Sequence, residues 1–104
     1  MVEIQPDPKP RKRVRDSEAV LRKLLSDPVC RGCRGRASDG HHVVLRSQGG
    51  DDVEHNIMPL CHACHMAFHA GNLRDLKLTE AERWYVTVRL DERAQTYLMR
   101  RGYV

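Results

Sequence analysis

The sequence predicts a small α+β domain: a short β-hairpin followed by one helix, stapled by four cysteines and flanked by further helices. Three observations carry this. The cysteines come as two C-x-x-C pairs, Cys30/Cys33 and Cys61/Cys64, on either side of a stretch that holds β-branched residues and a glycine-rich loop. The histidines gather around the same stretch, with His41-His42 near its start and His65 and His69 after the second cysteine pair. With 104 residues, 5% aromatic and 31% charged, the chain is too small and too polar to rest on packing alone, which favours a metal-tied fold.

Residues 1–15 carry Pro6, Pro8 and Pro10 among Lys9, Arg11, Lys12, Arg13 and Arg15, with almost nothing to bury, and read as a disordered basic arm. Residues 16–104 then read as a single domain, with its core at about 30–71 and C-terminal helices at about 79–102. Ser17 is placed to cap a helix whose apolar positions Val20, Leu21, Leu24 and Leu25 share one face, and Asp27-Pro28 stops it. Cys30-Arg-Gly-Cys33 makes a tight knuckle in which Gly32 allows the backbone to turn.

Val43, Val44 and Leu45 suit a short strand over 37–45, Arg46 to Val53 reads as a flexible loop, and Ile57-Met58 suits a second strand ended near Pro59. Cys61 to Ala70 suits a helix of about three turns closed by Gly71. Thr79-x-x-Glu82 is a capping-box pattern ahead of a helix with Ala81, Trp84, Tyr85 and Val88 on one face. A last helix is expected from about Glu92 to Arg101, stopped by Gly102. Trp84, Tyr85 and Tyr97 could stack on nucleic-acid bases, but aromatics at helical spacing are first of all core residues.

No stretch approaches the roughly 18 apolar residues of a membrane span, and the amino terminus lacks the apolar segment of a secretory signal, so a cytoplasmic protein without membrane contact is expected. In a reducing compartment two C-x-x-C pairs are metal ligands rather than disulfides. Two knuckles complete a tetrahedral sphere, and Cys30, Cys33, Cys61 and Cys64 are therefore assigned a structural Zn²⁺. A competing Cys61/Cys64/His65/His69 site would strand Cys30 and Cys33.

His65 and His69 are four apart, so on a helix their rings share a face and can bind one cation. The net charge of +4 suits a polyanionic partner. Its excess lies upstream of the histidines: residues 1–36 hold ten Lys/Arg against five Asp/Glu, and residues 37–104 hold eight against nine.

The string H-H-V-V, then G-G-D-D-V-E-H-N-I-M-P-L-C, then C-H-x-x-x-H over about residues 30–71 resembles the HNH endonuclease family, also called the ββα-metal fold. Its His-His, Asn, His-x-x-x-His form is similar to that of the nuclease colicins, and its cysteine pairs to those of phage and bacterial HNH enzymes that carry zinc. Many of the latter place an Asp where this chain has His41.

The resemblance implies that His42 is the general base, that His41, His65 and His69 hold a catalytic divalent ion, and that Asn56 braces the loop so that His42 stays aimed at the water. Imidazole favours Zn²⁺, Ni²⁺, Co²⁺ or Mn²⁺ over Mg²⁺, which prefers oxygen. The substrate implied is DNA, hydrolysed to a 5′-phosphate and a 3′-hydroxyl by nicking or double-strand cutting. DNA contacts are expected from Arg11, Lys12, Arg13, Arg15 and Arg46.

Asp39 reads either as the carboxylate that orients a ligand imidazole or as a plain turn residue. His55 and His62 read as exposed polar residues, and Asp51, Asp52 and Glu54 as loop formers. Successive strand residues point to opposite faces, so for His41 and His42 to serve one site the strand must be irregular or the site must lie at its edge.

Small stand-alone HNH proteins resemble phage nucleases that work with packaging or recombination proteins, in the host cytoplasm if phage-encoded, and equally restriction and homing enzymes. The alternative is a non-catalytic, zinc-stabilised module that binds DNA or protein on the HNH scaffold. A zinc-finger regulator is disfavoured, because no helix has the pattern of a base-reading element.

Overall fold

The computed structural model describes residues 13–104. Their order is α1 (Ala19–Ser26), β1 (Asp39–His42), β2 (Ile57–Leu60), α2 (His62–His69), α3 (Glu80–Leu90) and α4 (Ala94–Arg101), with short 3-10 turns at Arg46–Gln48, Glu54–Asn56 and Asp91–Arg93. The two strands pair antiparallel with Asp39 opposite Leu60 and His42 opposite Ile57. This is the small α+β architecture expected, a hairpin leading into a helix beside a tetracysteine cluster. No helix among the described residues is long and apolar enough to cross a membrane.

Of the arm expected over 1–15, residues 1–12, with Arg11 and Lys12, lie outside the described residues. Residues 13–16 are tied down, contrary to expectation. The Val14 amide donates to Asp51 Oδ1 at 2.7 Å, the Asp52 amide to the Val14 carbonyl at 2.9 Å, and the Asp16 amide to Asp52 Oδ2 at 3.0 Å. Ser17 does not cap α1. Asp16 does the equivalent work one residue earlier, accepting the Glu18 amide on its carboxylate and the Ala19 amide on its carbonyl. Leu21 and Leu25, expected inside, are 59% and 74% exposed, and Ala19 is the fully buried residue of α1.

The first strand lies earlier than Val43 and Val44 suggested. After His42 the chain leaves the ladder, and Asn56 takes over as its partner. The Val43 amide donates to the Asn56 carbonyl at 2.9 Å, and the Val44 amide to Asn56 Oδ1 at 2.8 Å. Val43 and Val44 can therefore both be fully buried although adjacent, which a regular strand forbids.

The segment read as a flexible loop is held in place, with Asp51 and Asp52 buried in it. Gly50 is required there for space, because a Cβ at that position would sit 1.8 Å from the Val44 carbonyl oxygen. At Gly32 the constraint is also close approach rather than the turn itself, since a Cβ would meet Cys64 Sγ at 3.0 Å; the left-handed residue of the knuckle is Arg34, φ 69°.

α2 spans eight residues rather than three full turns, and Gly71 follows its C-terminus with φ 79°. α3 starts on the expected capping box. Its buried face is Glu82, Tyr85, Val86 and Leu90, whereas Ala81, Trp84 and Val88 face outward. The reason is Glu82, which is fully buried. It accepts the Thr79 amide at 2.9 Å and takes Arg31 on both oxygens, at 2.6 and 3.0 Å, with Lys23 Nζ at 3.7 Å.

That ion pair joins α1, the first cysteine knuckle and α3, so Glu82→Ala strands a largely buried guanidinium. It is expected to lower unfolding free energy by about 3–5 kcal/mol, measured by urea denaturation, whereas Glu82→Gln, which still accepts hydrogen bonds, should lose less. The C-terminal residues close the fold, as Leu76 and Tyr103 form a parallel bridge that buries Tyr103 beside Phe68.

Candidate metal centres and the catalytic recess

Cys30 and Cys33 lie on the turn before β1, while Cys61 caps α2 and Cys64 lies in its first turn. Their sulfurs all fall within 4.8 Å of one another. Backbone amides point at them: Cys33 N–H donates to Cys30 Sγ at 3.5 Å, Cys64 N–H to Cys61 Sγ at 3.4 Å, and Gly35 N–H to Cys33 Sγ at 3.4 Å. Such donors stabilise thiolate. Burial pushes Cys30 up, but the surrounding amides of Cys33, Cys61 and Gly32 outweigh it and bring the thiol down to about 6. Burial and the neighbouring sulfurs push Cys64 up to about 12. Four sulfurs this close can ionise together only around a cation, and soft thiolates in a tetrahedral set suit zinc.

The second cluster is His41, His65 and His69, whose ligand nitrogens also lie within 4.8 Å of one another. α2 supplies two of them one turn apart, and His65 Nε2 and His69 Nε2 are 3.1 Å apart, aimed at the space between them. Asp39, one of the two readings left open, accepts from His65 Nδ1 at 2.9 Å, which leaves the Nε2 lone pair free. The same carboxylate takes His62 Nδ1 at 3.0 Å, and these hydrogen bonds, His65 first, hold it down at about 2.

His41 is buried and its Nε2 lies 2.7 Å from Tyr103 Oη. A ring that donates there keeps the lone pair of its other nitrogen for an ion. Burial, then the neighbouring His65 and His69, press the His41 pKa down to about 3, and burial lowers His69 too. Both shifts favour the neutral ring, the form that ligates.

His42, the last residue of β1, lines the same recess of about 410 Å³ as His41, His65, His69 and Arg46. The geometric difficulty of adjacent strand residues is met because the ladder ends here. The His42 ring is anchored by Asp52, which sequence reading had taken for a loop former: Nε2 donates to Asp52 Oδ1 at 2.8 Å. Burial would raise the Asp52 pKa, but the Asp16 amide, His42, Arg46 and Arg13 outweigh it and hold the carboxyl at about 2.

Asn56 is fully buried, and its Nδ2 donates to the carbonyls of Val44 at 3.1 Å and Asp51 at 3.0 Å, tying together the two segments that flank Asp52. Tyr85 Oη donates to Asp51 Oδ2 at 2.7 Å and accepts the Asp51 amide at 2.8 Å, fixing the loop from α3.

Of the expected DNA contacts, Arg46 is exposed at the rim, 3.5 Å from Asp52 Oδ1, and Arg15 is exposed. Arg13, in contrast, is spent internally, with Nη1 2.9 Å from Asp52 Oδ1 and a side chain only 20% exposed. His55 is not simply a solvent residue either, since it lies edge-on to Tyr85 and to the exposed Trp84. Tyr103 had no local signal in the sequence, because it meets His41 only through the parallel bridge at the chain's other end.

The hairpin and the helix after it bring three imidazoles together beside a four-sulfur clip. Residues 30–71 match the model of the HNH endonuclease family, and the chain carries an HNH domain over that stretch. It is also similar to Anaredoxin of Nostoc sp. (strain PCC 7120), 39% identical over 46 residues, which are 44% of this chain and 59% of that protein. The chain thus spans somewhat over half the length of that curated relative. No solved structure matches.

Proposed function

We propose that the protein is a metal-dependent DNA endonuclease that hydrolyses phosphodiester bonds with His42 as general base. The observation that carries this reading is the recess in which His42, oriented by a buried carboxylate, stands beside three imidazoles able to share one ion. Held by His41, His65 and His69, a divalent cation would supply Lewis-acid stabilisation of the negative charge that gathers on the phosphate and the leaving oxygen. Because Nε2 of His42 donates to Asp52, Nδ1 carries the lone pair that removes a proton from the attacking water.

The new oxygen bonds to phosphorus as the bond to the 3′ oxygen breaks. The water's proton stays on His42, and the 3′ oxygen takes one from solvent. Asn56 keeps the loop in place and Asp52 keeps the ring turned, so the base is aimed before substrate arrives. Cys30, Cys33, Cys61 and Cys64 hold zinc and serve the fold. The positive net charge and the HNH domain support DNA as the polymer.

The test is cleavage of supercoiled plasmid by the zinc-loaded protein with added Mg²⁺, Mn²⁺, Ni²⁺ or Co²⁺, beside His42→Ala. Metal-dependent nicking that falls about 10²–10⁴-fold in the variant is expected. Wild type and variant equally inert with every ion, while both still shift DNA on a gel, would instead identify a binding module.

A further inference from the structure

We propose that Arg74, Arg100 and Arg101 form a phosphate-binding wall that grips the nucleic-acid strand beside His69. The inference rests on the reading above in that the strand is taken to cross the histidine cluster. Two adjoining recesses share His69. One holds His41, His42, His65 and Arg46; the other, about 180 Å³, is lined by Phe68, His69, Gly71 and the three arginines. A strand lying across the cluster therefore meets Arg46 in one recess and the three arginines in the other. Successive phosphates of one strand rise only about 3.4 Å along the duplex axis, so neighbours of the phosphate at the cluster fall within reach of each.

These arginines combine a place beside His69 with a charge that no carboxylate among the described residues answers, the second of which Arg36 and Arg83 share without the first. Arg13, Arg22, Arg31 and Arg89 each have an aspartate or glutamate within 4.0 Å. Among the described residues Arg74, Arg100 and Arg101 have no such partner, and their charge is left for an outside anion. Arg101 Nε is buried without an acceptor, a donor that an arriving phosphate oxygen or bridging water would satisfy. Arg74 is pre-set: its Nη2 donates to the Met99 carbonyl at 3.2 Å, and its side chain lies alongside Gly102. A planar fork fixed in this way matches phosphate better than a flexible ammonium. Arg100 and Arg101 also end α4, where positive charge favours the helix dipole, and that is the competing structural explanation.

Binding of a labelled duplex oligonucleotide, followed by fluorescence anisotropy between about 50 and 200 mM salt, distinguishes the two. The zinc-loaded protein carries His42→Ala throughout, so cleavage does not intervene. Arg74→Ala/Arg100→Ala is expected to weaken binding roughly tenfold or more and to flatten the plot of log K against log salt by about two. Arg36→Ala/Arg83→Ala, which removes the same charge from residues lining neither recess, should keep nearly the parent slope.

Equal losses in both double variants, an unchanged slope in the first, or a parent protein that does not bind would overturn the wall. If the first variant melts early, Arg100→Glu supplies the same readout from an exposed side chain. A slope flattened as expected in the wall variant, with no plasmid nicking under any metal, defeats the nuclease reading alone. Nicking with an unmoved slope defeats the wall alone.

Discussion

A Cys30→Ser chain is expected to be unfolded at room temperature and to purify without stoichiometric zinc. Cys30 is fully buried and sits in the core cluster with Val43, Met58 and Leu60, so its sulfur is at once a ligand and a packing atom. Structural zinc contributes about 10–16 kcal/mol in small zinc-finger peptides, while a whole domain is stable by about 5–15 kcal/mol. Loss of one ligand in four therefore removes most of what holds the chain together. Far-UV circular dichroism and metal analysis of the purified variant check this. A folded, metal-free Cys30→Ser protein that melts with the wild type would refute the structural role of the clip.

Asp52→Asn is expected to lower turnover about 10- to 100-fold while leaving the fold and DNA affinity nearly intact. Asparagine has the same shape but a single oxygen, so it can accept either the Asp16 amide, which bonds Oδ2, or Arg13 and His42, which share Oδ1; the loop stays held from Asn56 and Tyr85. What it loses is the charge that holds the proton of His42 on Nε2. An amide can present either its oxygen or its nitrogen to the ring, which lets His42 turn or change tautomer. The kinetic signature is a fall in kcat with KM little changed, and long-range ¹H–¹⁵N spectra of the zinc-loaded protein should report Nε2 protonation in wild type and a mixture in the variant. Asp52→Glu should restore part of the rate. Identical tautomer and rate in wild type and variant would remove Asp52 from the site.

The two metal clusters were legible because their signal is spacing within short segments. C-x-x-C sets the distance between two sulfurs, and His65-x-x-x-His69 sets two rings on one turn, whatever the rest of the chain does. Asp39 was half legible, since its distance from the histidines made either reading sound. Asp51 and Asp52 do lie in the loop that a G-G-D-D run suggests, but nothing local says that Val14, His42 and Tyr85 converge on it.

The α3 face was placed wrongly for a similar reason. Apolar periodicity chose Trp84 and Val88, whereas burial of Glu82 against Arg31 rotated the helix. The arginine wall escaped notice because charge was counted along the sequence. The excess lies in residues 1–36, while the unpaired guanidinia next to the histidines come from the C-terminal part.

The hydrogen-bond partners of the HNH stretch have a bearing on how such a module is moved between proteins. Arg31 answers to Glu82, Asp51 to Tyr85, the Asp52 amide to Val14 and His41 to Tyr103, and each of those partners lies outside residues 30–71. A cassette cut at the borders of that stretch and grafted elsewhere would keep the four cysteines, the histidine cluster and His42, yet carry several orphaned polar groups at about 1–3 kcal/mol each. The transplantable unit is thus larger than the signature that identifies it, and must bring α3, Val14 and Tyr103 with it.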